Sequence, residues 1–313
     1  MTASPNLNGI FERAAVFPDV DARERLNQLV GLDAHKSRLG KILAVLVNPD
    51  GLRTWAQTNH PSAHALVRNV IRRPPLVILA GDVGSGKTEL AETIGDEVAR
   101  QERISVTLLP LSLSARGQGR VGEMTQLISA AFEHAVAEAG KFKSASGKAR
   151  GGVILLVDEA DALAQSREAA QMHHEDRAGV NAFIRGIDRL GNGGALPAAV
   201  IMCTNRVGSL DPAVRRRAAE IITFERPNVD QRRAVISGLM AGVGLSPSQV
   251  DGLVAATGPA KQRDYGFTFS DLTQRLIPAI VLDAYPHARV DPVRAIAIAA
   301  GMEPTAPFQD KSR

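Results

Sequence analysis

Up to about residue 227, short unbroken apolar runs alternate with longer stretches of helical period. Five runs read as strands: 76–80, 104–109, 153–157, 198–203 and 221–224. They are apolar at consecutive positions, as strands covered on both faces must be. Helical faces lie between them. Leu90, Ala91, Ile94 and Val98 align after the first strand; Met124, Leu127, Ile128, Ala131, Phe132, Ala135 and Val136 align over 124–139; Val180, Phe183, Ile184 and Ile187 align over 180–190. Upstream, Leu39, Ile42, Leu43 and Leu46 recur at helical spacing until Asn48-Pro49-Asp50-Gly51 ends the helix, and a second helix holds Leu52, Trp55 and Ala56. The alternation predicts the α/β class, with a five-stranded parallel sheet flanked by helices. After Pro227 the pattern is helical only: Ser246-Pro247 opens one helix and Gly258 stops it, 270–284 carries Pro278 as a kink, and Asp291-Pro292 starts the last. The expected organisation is a short polar segment (1–28), a large α/β domain (29–227), a small all-α lid (228–302) and a flexible tail (303–313).

The turn after the first strand carries the first chemistry. Gly81-Asp82-Val83-Gly84-Ser85-Gly86-Lys87-Thr88 fits G-x-x-x-x-G-K-[ST] at every fixed position, between an apolar strand and a helix start. Glycines there let main-chain N–H groups turn inward around phosphate, and the helix N-terminus adds positive potential. Lys87 can reach the β- and γ-phosphates, and the Thr88 hydroxyl can ligate Mg²⁺. A chance glycine-rich turn would not come with both flanking elements, so the chain is expected to bind a nucleoside triphosphate.

The run 153–157 ends in Asp158-Glu159. Beside the phosphate-loop strand, Asp158 can organise the metal and Glu159 can polarise an attacking water. Acids at a strand end also cap helices, but the upstream phosphate loop decides for catalysis. Thr204-Asn205 ends the next strand; Asn205 is either a plain turn residue or a hydrogen-bond partner of the γ-phosphate or water. Leu210-Asp211-Pro212-Ala213-Val214 then runs into Arg215-Arg216-Arg217. Three arginines can be a solvated face, a nucleic-acid contact or an arginine finger on a neighbour's γ-phosphate. A finger accelerates hydrolysis roughly 10³- to 10⁵-fold, and the order along the chain favours it.

Composition narrows the alternatives. With 313 residues, 44% of them hydrophobic, the chain can bury a large core. Aromatics are only 4%, against single-strand nucleic acid held by base stacking. A net charge of +4 permits an acidic partner without requiring one. Cys203 is the single cysteine, so no intramolecular disulfide can form. No apolar run reaches the length of a membrane span, and the N-terminus has no signal-peptide core, so a cytoplasmic protein is expected. The basic stretch 141–152 reads as a solvated connection. His173-His174 lack acidic or cysteine partners and read as pore or surface residues rather than metal ligands.

Taken together, these residues resemble the AAA+ ATPase family over about residues 29–285. Gly81 to Thr88 stands as Walker A, 153–159 with Ala160-Asp161 as Walker B, and Asn205 as the sensor-one residue. Leu29-Val30-Gly31-Leu32 is similar to the segment that holds adenine, and Gly266-Phe267 to Asp271-Leu272-Thr273 is similar to the lid motif. Val180-Asn181-Ala182 with Ile187-Asp188 is similar to the helix after Walker B in substrate-remodelling AAA proteins, and 215–228 is similar to the arginine-finger region of the pachytene-checkpoint ATPases. Those enzymes remodel HORMA-domain proteins, and their compact bacterial relatives are associated with antiphage nucleotide signalling.

The resemblance implies ATP and Mg²⁺, a homo-oligomer of hexameric type and a HORMA-domain partner, with neither nucleic acid nor membrane involved. It implies Glu159 as base, Asn205 as water-positioner, and Arg217 with Arg216 as the finger. Thr88 and Asp158 take the metal side; Val30, Gly31 and Glu89 join Gly81 to Thr88 at the nucleotide; Arg120-Val121-Gly122 falls in the substrate-gripping pore loop. The sequence departs from the family where Arg120 replaces an aromatic, which suits carbonyl or acidic groups. It departs again where the sensor-two arginine of the pachytene-checkpoint type falls at Ser270, one turn before Arg275. Competing readings are a DNA-directed AAA+ regulator of replication or transposition and an ATP-switched scaffold that does not hydrolyse.

Overall fold

The computed structural model describes residues 10–11, 13–113, 123–143, 149–163, 174–192, 196–206, 208, 210–260 and 263–308. They form two compact units. One comprises Met1–Asn27, Ala34–Ala80 and Thr88–Thr223; the other comprises Gln28–Asp33, Gly81–Lys87 and Phe224–Arg313.

The first unit is built on a sheet of six strands: β1 (Ala15–Phe17), β2 (Leu76–Gly81), β3 (Ser105–Ser112), β4 (Gly151–Asp158), β5 (Ala198–Thr204) and β6 (Ala218–Phe224), in the order β1-β3-β4-β5-β2-β6. The pairs β3–β4, β4–β5 and β2–β5 are parallel, with Ser105 opposite Gly151, Val153 opposite Ala198 and Leu76 opposite Val200. The expectation of five parallel strands is corrected at the edge, where β1 pairs antiparallel with β3, Ala15 opposite Leu108. Three residues carry no readable period, so β1 is specified by distant packing. A Cβ on Gly95 would sit 2.4 Å from the Phe17 ring, so only glycine there admits the buried phenyl.

Helices α1 (Val20–Gln28), α2 (Asp33–Val47), α3 (Pro49–Asn59) and α4 (His64–Ile71) precede β2. Pro49 does not leave a simple turn but opens α3 directly, because proline suits a first helical turn. Helix α5 (Lys87–Glu102) follows the phosphate loop, α6 (Glu123–Phe142) follows β3, α7 (His174–Asn192) precedes β5, and the short α8 (Pro212–Arg215) precedes β6. One core cluster joins Ile128, Ala131 and Phe132 of α6 and Phe183 and Ile187 of α7 to Leu155, Val157, Val200 and Met202 of the sheet. Phe132 and Phe183 meet edge to face at 5.5 Å. Each leucine, isoleucine, valine, methionine or phenylalanine in that cluster contributes about 1.5–3 kcal/mol on burial.

The second unit is helical beyond residue 228. Helices α9 (Val229–Leu239) and α10 (Pro247–Ala256) open with reciprocal capping boxes, Asn228 with Gln231 and Ser246 with Gln249. A π-helical turn over Asp271–Leu276 leads into α11 (Ile277–Ala284), and α12 (Pro292–Gly301) closes the set. The kink expected at Pro278 is absorbed by that wide turn: the Ile277 N–H donates to Leu272 O, five residues back, just before proline removes a donor. The loose tail expected after residue 302 does not hold for 303–308. Arg275 Nη2 donates to Glu303 O at 3.0 Å, and the Thr305 N–H and hydroxyl both donate to Asp271, at 3.0 and 2.8 Å. Among the described residues, no helix is long and apolar enough to cross a membrane.

Candidate active site

The phosphate loop belongs to the second unit. Gly84 and Gly86 take φ of +72° and +92°, where a side chain costs roughly 1–2 kcal/mol. Space is closed as well: a Cβ on Gly84 would lie 2.8 Å from Thr268 Oγ1 and 2.9 Å from Ser270 Cβ. Ser270 donates its N–H to Gly84 O at 3.0 Å. Lys87 is buried; its Nζ donates to Gly81 O at 2.9 Å, Asp82 O at 2.7 Å and Ser85 Oγ at 3.3 Å. A buried ammonium opening a helix of 16 residues, beside left-handed glycines, fits a phosphate anion. Asp82 turns its carboxylate to Arg226, Val83 is exposed and Ser85 is buried. In the same unit Gly31, at φ +81°, offers its carbonyl to Gln231 Nε2 at 2.7 Å, and Val30 is exposed beside it.

The acids lie in the first unit. Thr88 Oγ1 donates to Asp158 Oδ1 at 3.3 Å, and the Glu159 N–H donates to the same oxygen at 2.8 Å. Burial pushes the Asp158 carboxyl above its usual range, against the hydrogen bonds from Glu159 and Thr88, while the charges of Glu159 and Glu92 add to the rise. A divalent cation relieves that concentration of negative charge, so Thr88 and Asp158 fit Mg²⁺. Glu159 is exposed and sits at φ +51°, rare for a residue with a side chain. That backbone costs roughly 1–3 kcal/mol.

Asn205 is clamped by a residue to which the sequence assigned no role. Asp161 Oδ1 accepts from Thr204 Oγ1 at 2.6 Å and from the Asn205 N–H at 2.9 Å, and its Oδ2 accepts from Asn205 Nδ2 at 2.9 Å. With the amide nitrogen turned to Asp161, the amide oxygen is the atom Asn205 presents outward. The signal was present in Asp158-Glu159-Ala160-Asp161, since the helical turn Ala160–Leu163 brings the second aspartate back to the strand ends.

Arg217 is fixed within its own chain: Nε and Nη2 grip Asp188 Oδ1 and Oδ2 at 2.7 and 2.9 Å, and Nη1 donates to Ala213 O at 3.1 Å. Arg215 and Arg216 are exposed. Glu89 gives its carboxylate to Arg25, at 2.7 and 3.0 Å, so any role at the nucleotide falls to its main chain. Arg275 is bound to Asp271 at 2.6 Å and to Glu303 O at 3.0 Å. Arg120, Val121, Gly122 and His173 lie outside the described residues, as does the side chain of His174.

Residues 77–226 match the ATPase family associated with various cellular activities (AAA). The chain is 62% identical over 311 residues to CD-NTase-associated protein 6 of Escherichia coli strain MS 115-1, covering 99% of this chain and 100% of that one. It superposes with a TM-score of 0.88 on a chain of the E. coli MS115-1 HORMA:CdnC:Trip13 complex, at 62% identity, over 96% of this chain and 97% of that chain. It superposes on Rhizobiales Trip13 with a TM-score of 0.76 at 69% identity, over 95% and 100% of the two chains.

Proposed function

The chain belongs to the AAA family of ATPases and is an ATP hydrolase; from that premise we propose that it works as a hexameric ring that remodels a HORMA-domain protein in a bacterial antiphage signalling system. The relatives that share its full length, one of them solved in a HORMA:CdnC:Trip13 complex, support that choice of partner. Lys87 and the loop N–H groups hold the phosphates, with Thr88 and Asp158 on the metal side. Bound Mg²⁺ would supply neutralisation of the charge that builds on the phosphate oxygens. Glu159 takes a proton from water as its oxygen attacks the γ-phosphorus; the bond to the β-phosphate oxygen breaks, and ADP leaves. The Asn205 amide oxygen orients that water. Arg216 and Arg217 act on the nucleotide of a neighbouring subunit, the direction of Arg217 being set by Asp188. The pore segment around Arg120-Val121-Gly122 engages the polypeptide.

The observation that carries this reading is the Asp161 clamp that orients Asn205, in the unit that also carries Glu159 with its left-handed backbone. Base and water-positioner are then both set before reaction, which a switch that never hydrolyses would not need. The test is Glu159→Gln with ATP and a HORMA-domain protein. The variant is expected to bind ATP, form a stable ring, hydrolyse almost nothing and retain the partner in a pull-down. Normal turnover rejects the base assignment, and a silent ring that captures no HORMA-domain protein rejects the partner.

A further inference from the structure

We infer that Asp82 is a node through which Arg226 and the C-terminal strap set how tightly the phosphate loop keeps its nucleotide. The inference rests on the nucleotide-binding reading and concerns a position that the signature G-x-x-x-x-G-K-[ST] leaves open. An aspartate there is unexpected, because a carboxylate in an anion-binding loop repels the phosphates it should attract.

The geometry answers the difficulty. Asp82 Oδ2 accepts from Arg226 Nε at 2.8 Å and pairs with Nη2 at 2.7 Å. Its Oδ1 accepts the Phe308 N–H at 2.9 Å, and its main-chain oxygen accepts from Lys87 Nζ at 2.7 Å. One residue therefore joins the catalytic lysine, an arginine post and the end of the described chain. The post is itself fixed: Arg226 Nη1 donates to Gly266 O at 2.7 Å, and its guanidinium lies 5.0 Å from the centre of the Tyr265 ring. The side chains of Arg226 and Asp82 are only 14% and 19% exposed, so solvent screens their attraction weakly. The strap that carries Phe308 is anchored separately, through Thr305 on Asp271.

Arg226 thus cancels the charge of Asp82, and the strap's Phe308 N–H holds the other carboxylate oxygen. Removing Arg226 unmasks a negative charge next to the phosphates. Removing the strap frees the carboxylate to swing. Both weaken nucleotide retention, the first more than the second.

Binding and dissociation of a fluorescent ATP analogue, measured on the full chain and its variants with thermal melting as a check on folding, test this. Arg226→Gln is expected to weaken affinity about tenfold or more, the scale of a hydrogen-bonded charge pair. The double variant Asp82→Asn/Arg226→Gln is expected to recover most of that loss, since no charge is left to unmask. A chain ending at Thr305 keeps its anchor on Asp271 and is expected to release the analogue about threefold faster. If the folded double variant binds as weakly as Arg226→Gln, the pair is only a scaffold and the charge account is overturned; unchanged dissociation from the truncated chain overturns the strap's part. A wild-type chain that binds no analogue rejects the nucleotide reading and this inference with it, which distinguishes the two failures.

Discussion

The Lys87 ammonium donates to main-chain carbonyls and a hydroxyl of its own loop, whereas Asn205 donates to the carboxylate oxygens of Asp161, in the helical turn that follows β4. Neutral carbonyls are acceptors that a phosphate oxygen can replace at a gain, because a charged acceptor roughly doubles the strength of the bond. The Asp161 clamp on Asn205 is already charge-assisted and gains nothing by opening. The phosphate side is therefore built to exchange partners when substrate arrives, and the water side is built not to move. Catalysis benefits from that division, since groups aimed at the transition state cost no reorganisation during reaction.

The largest effect belongs to Arg217→Ala, expected to lower the hydrolysis rate of the assembled protein about 10³- to 10⁵-fold while monomer stability changes little. A steady-state rate within tenfold of wild type removes Arg217 from the chemistry. Asp161→Asn comes next. It replaces the acceptor facing Asn205 Nδ2 with a donor, and the loss of a charged hydrogen bond, about 1.5–3 kcal/mol, is expected to appear mostly in kcat and hardly in KM. Equal changes in both would mean that the water side also shapes binding. Asp188→Asn is milder: the pair it breaks is partly solvent-exposed, 31% and 40%, so no more than about 1 kcal/mol of stability is at stake. A drop in hydrolysis well beyond that scale would show that Asp188 aims Arg217 rather than merely anchoring it.

The smallest effect at neutral pH concerns the strap. Burial alone would raise the Asp271 carboxyl, but the Thr268 N–H, both Thr305 donors and Arg275 outweigh it and hold its pKa below the ordinary 3.8. A depressed carboxyl contributes stability that is fully present above the unfolded value and lost as pH falls through the folded one. Protection of the Thr305 amide from hydrogen exchange is thus expected to hold from pH 7 to about pH 4 and to fall only below it. Loss of protection near pH 6 would contradict this assignment.

What the sequence revealed and what it hid divide by range. The phosphate loop, Asp158-Glu159 and Asn205 were readable because each sits where an apolar strand ends, a boundary written in a few consecutive residues. β1 was not, since Ala15-Val16-Phe17 is a strand only by virtue of β3 and of the space Gly95 leaves for Phe17. Arg217 was singled out for its chemistry, yet its bidentate partner Asp188 lies 29 residues away, and no local pattern links them. The strap was hidden for the same reason: Phe308 reaches Asp82 across 226 positions, and 303–308 has no period to announce its place. Asp161 lies between these cases, visible as a residue but not as the clamp on Asn205.

The contrast between an exchanging phosphate side and a preset water side is tested most directly by measuring ATP affinity and single-turnover hydrolysis together on Lys87→Ala and Glu159→Gln. The structure predicts that Lys87→Ala loses ATP binding, while Glu159→Gln binds ATP as tightly as wild type and hydrolyses it 10²- to 10⁴-fold more slowly. Equal losses of affinity in the two variants, or normal hydrolysis by either, would contradict it.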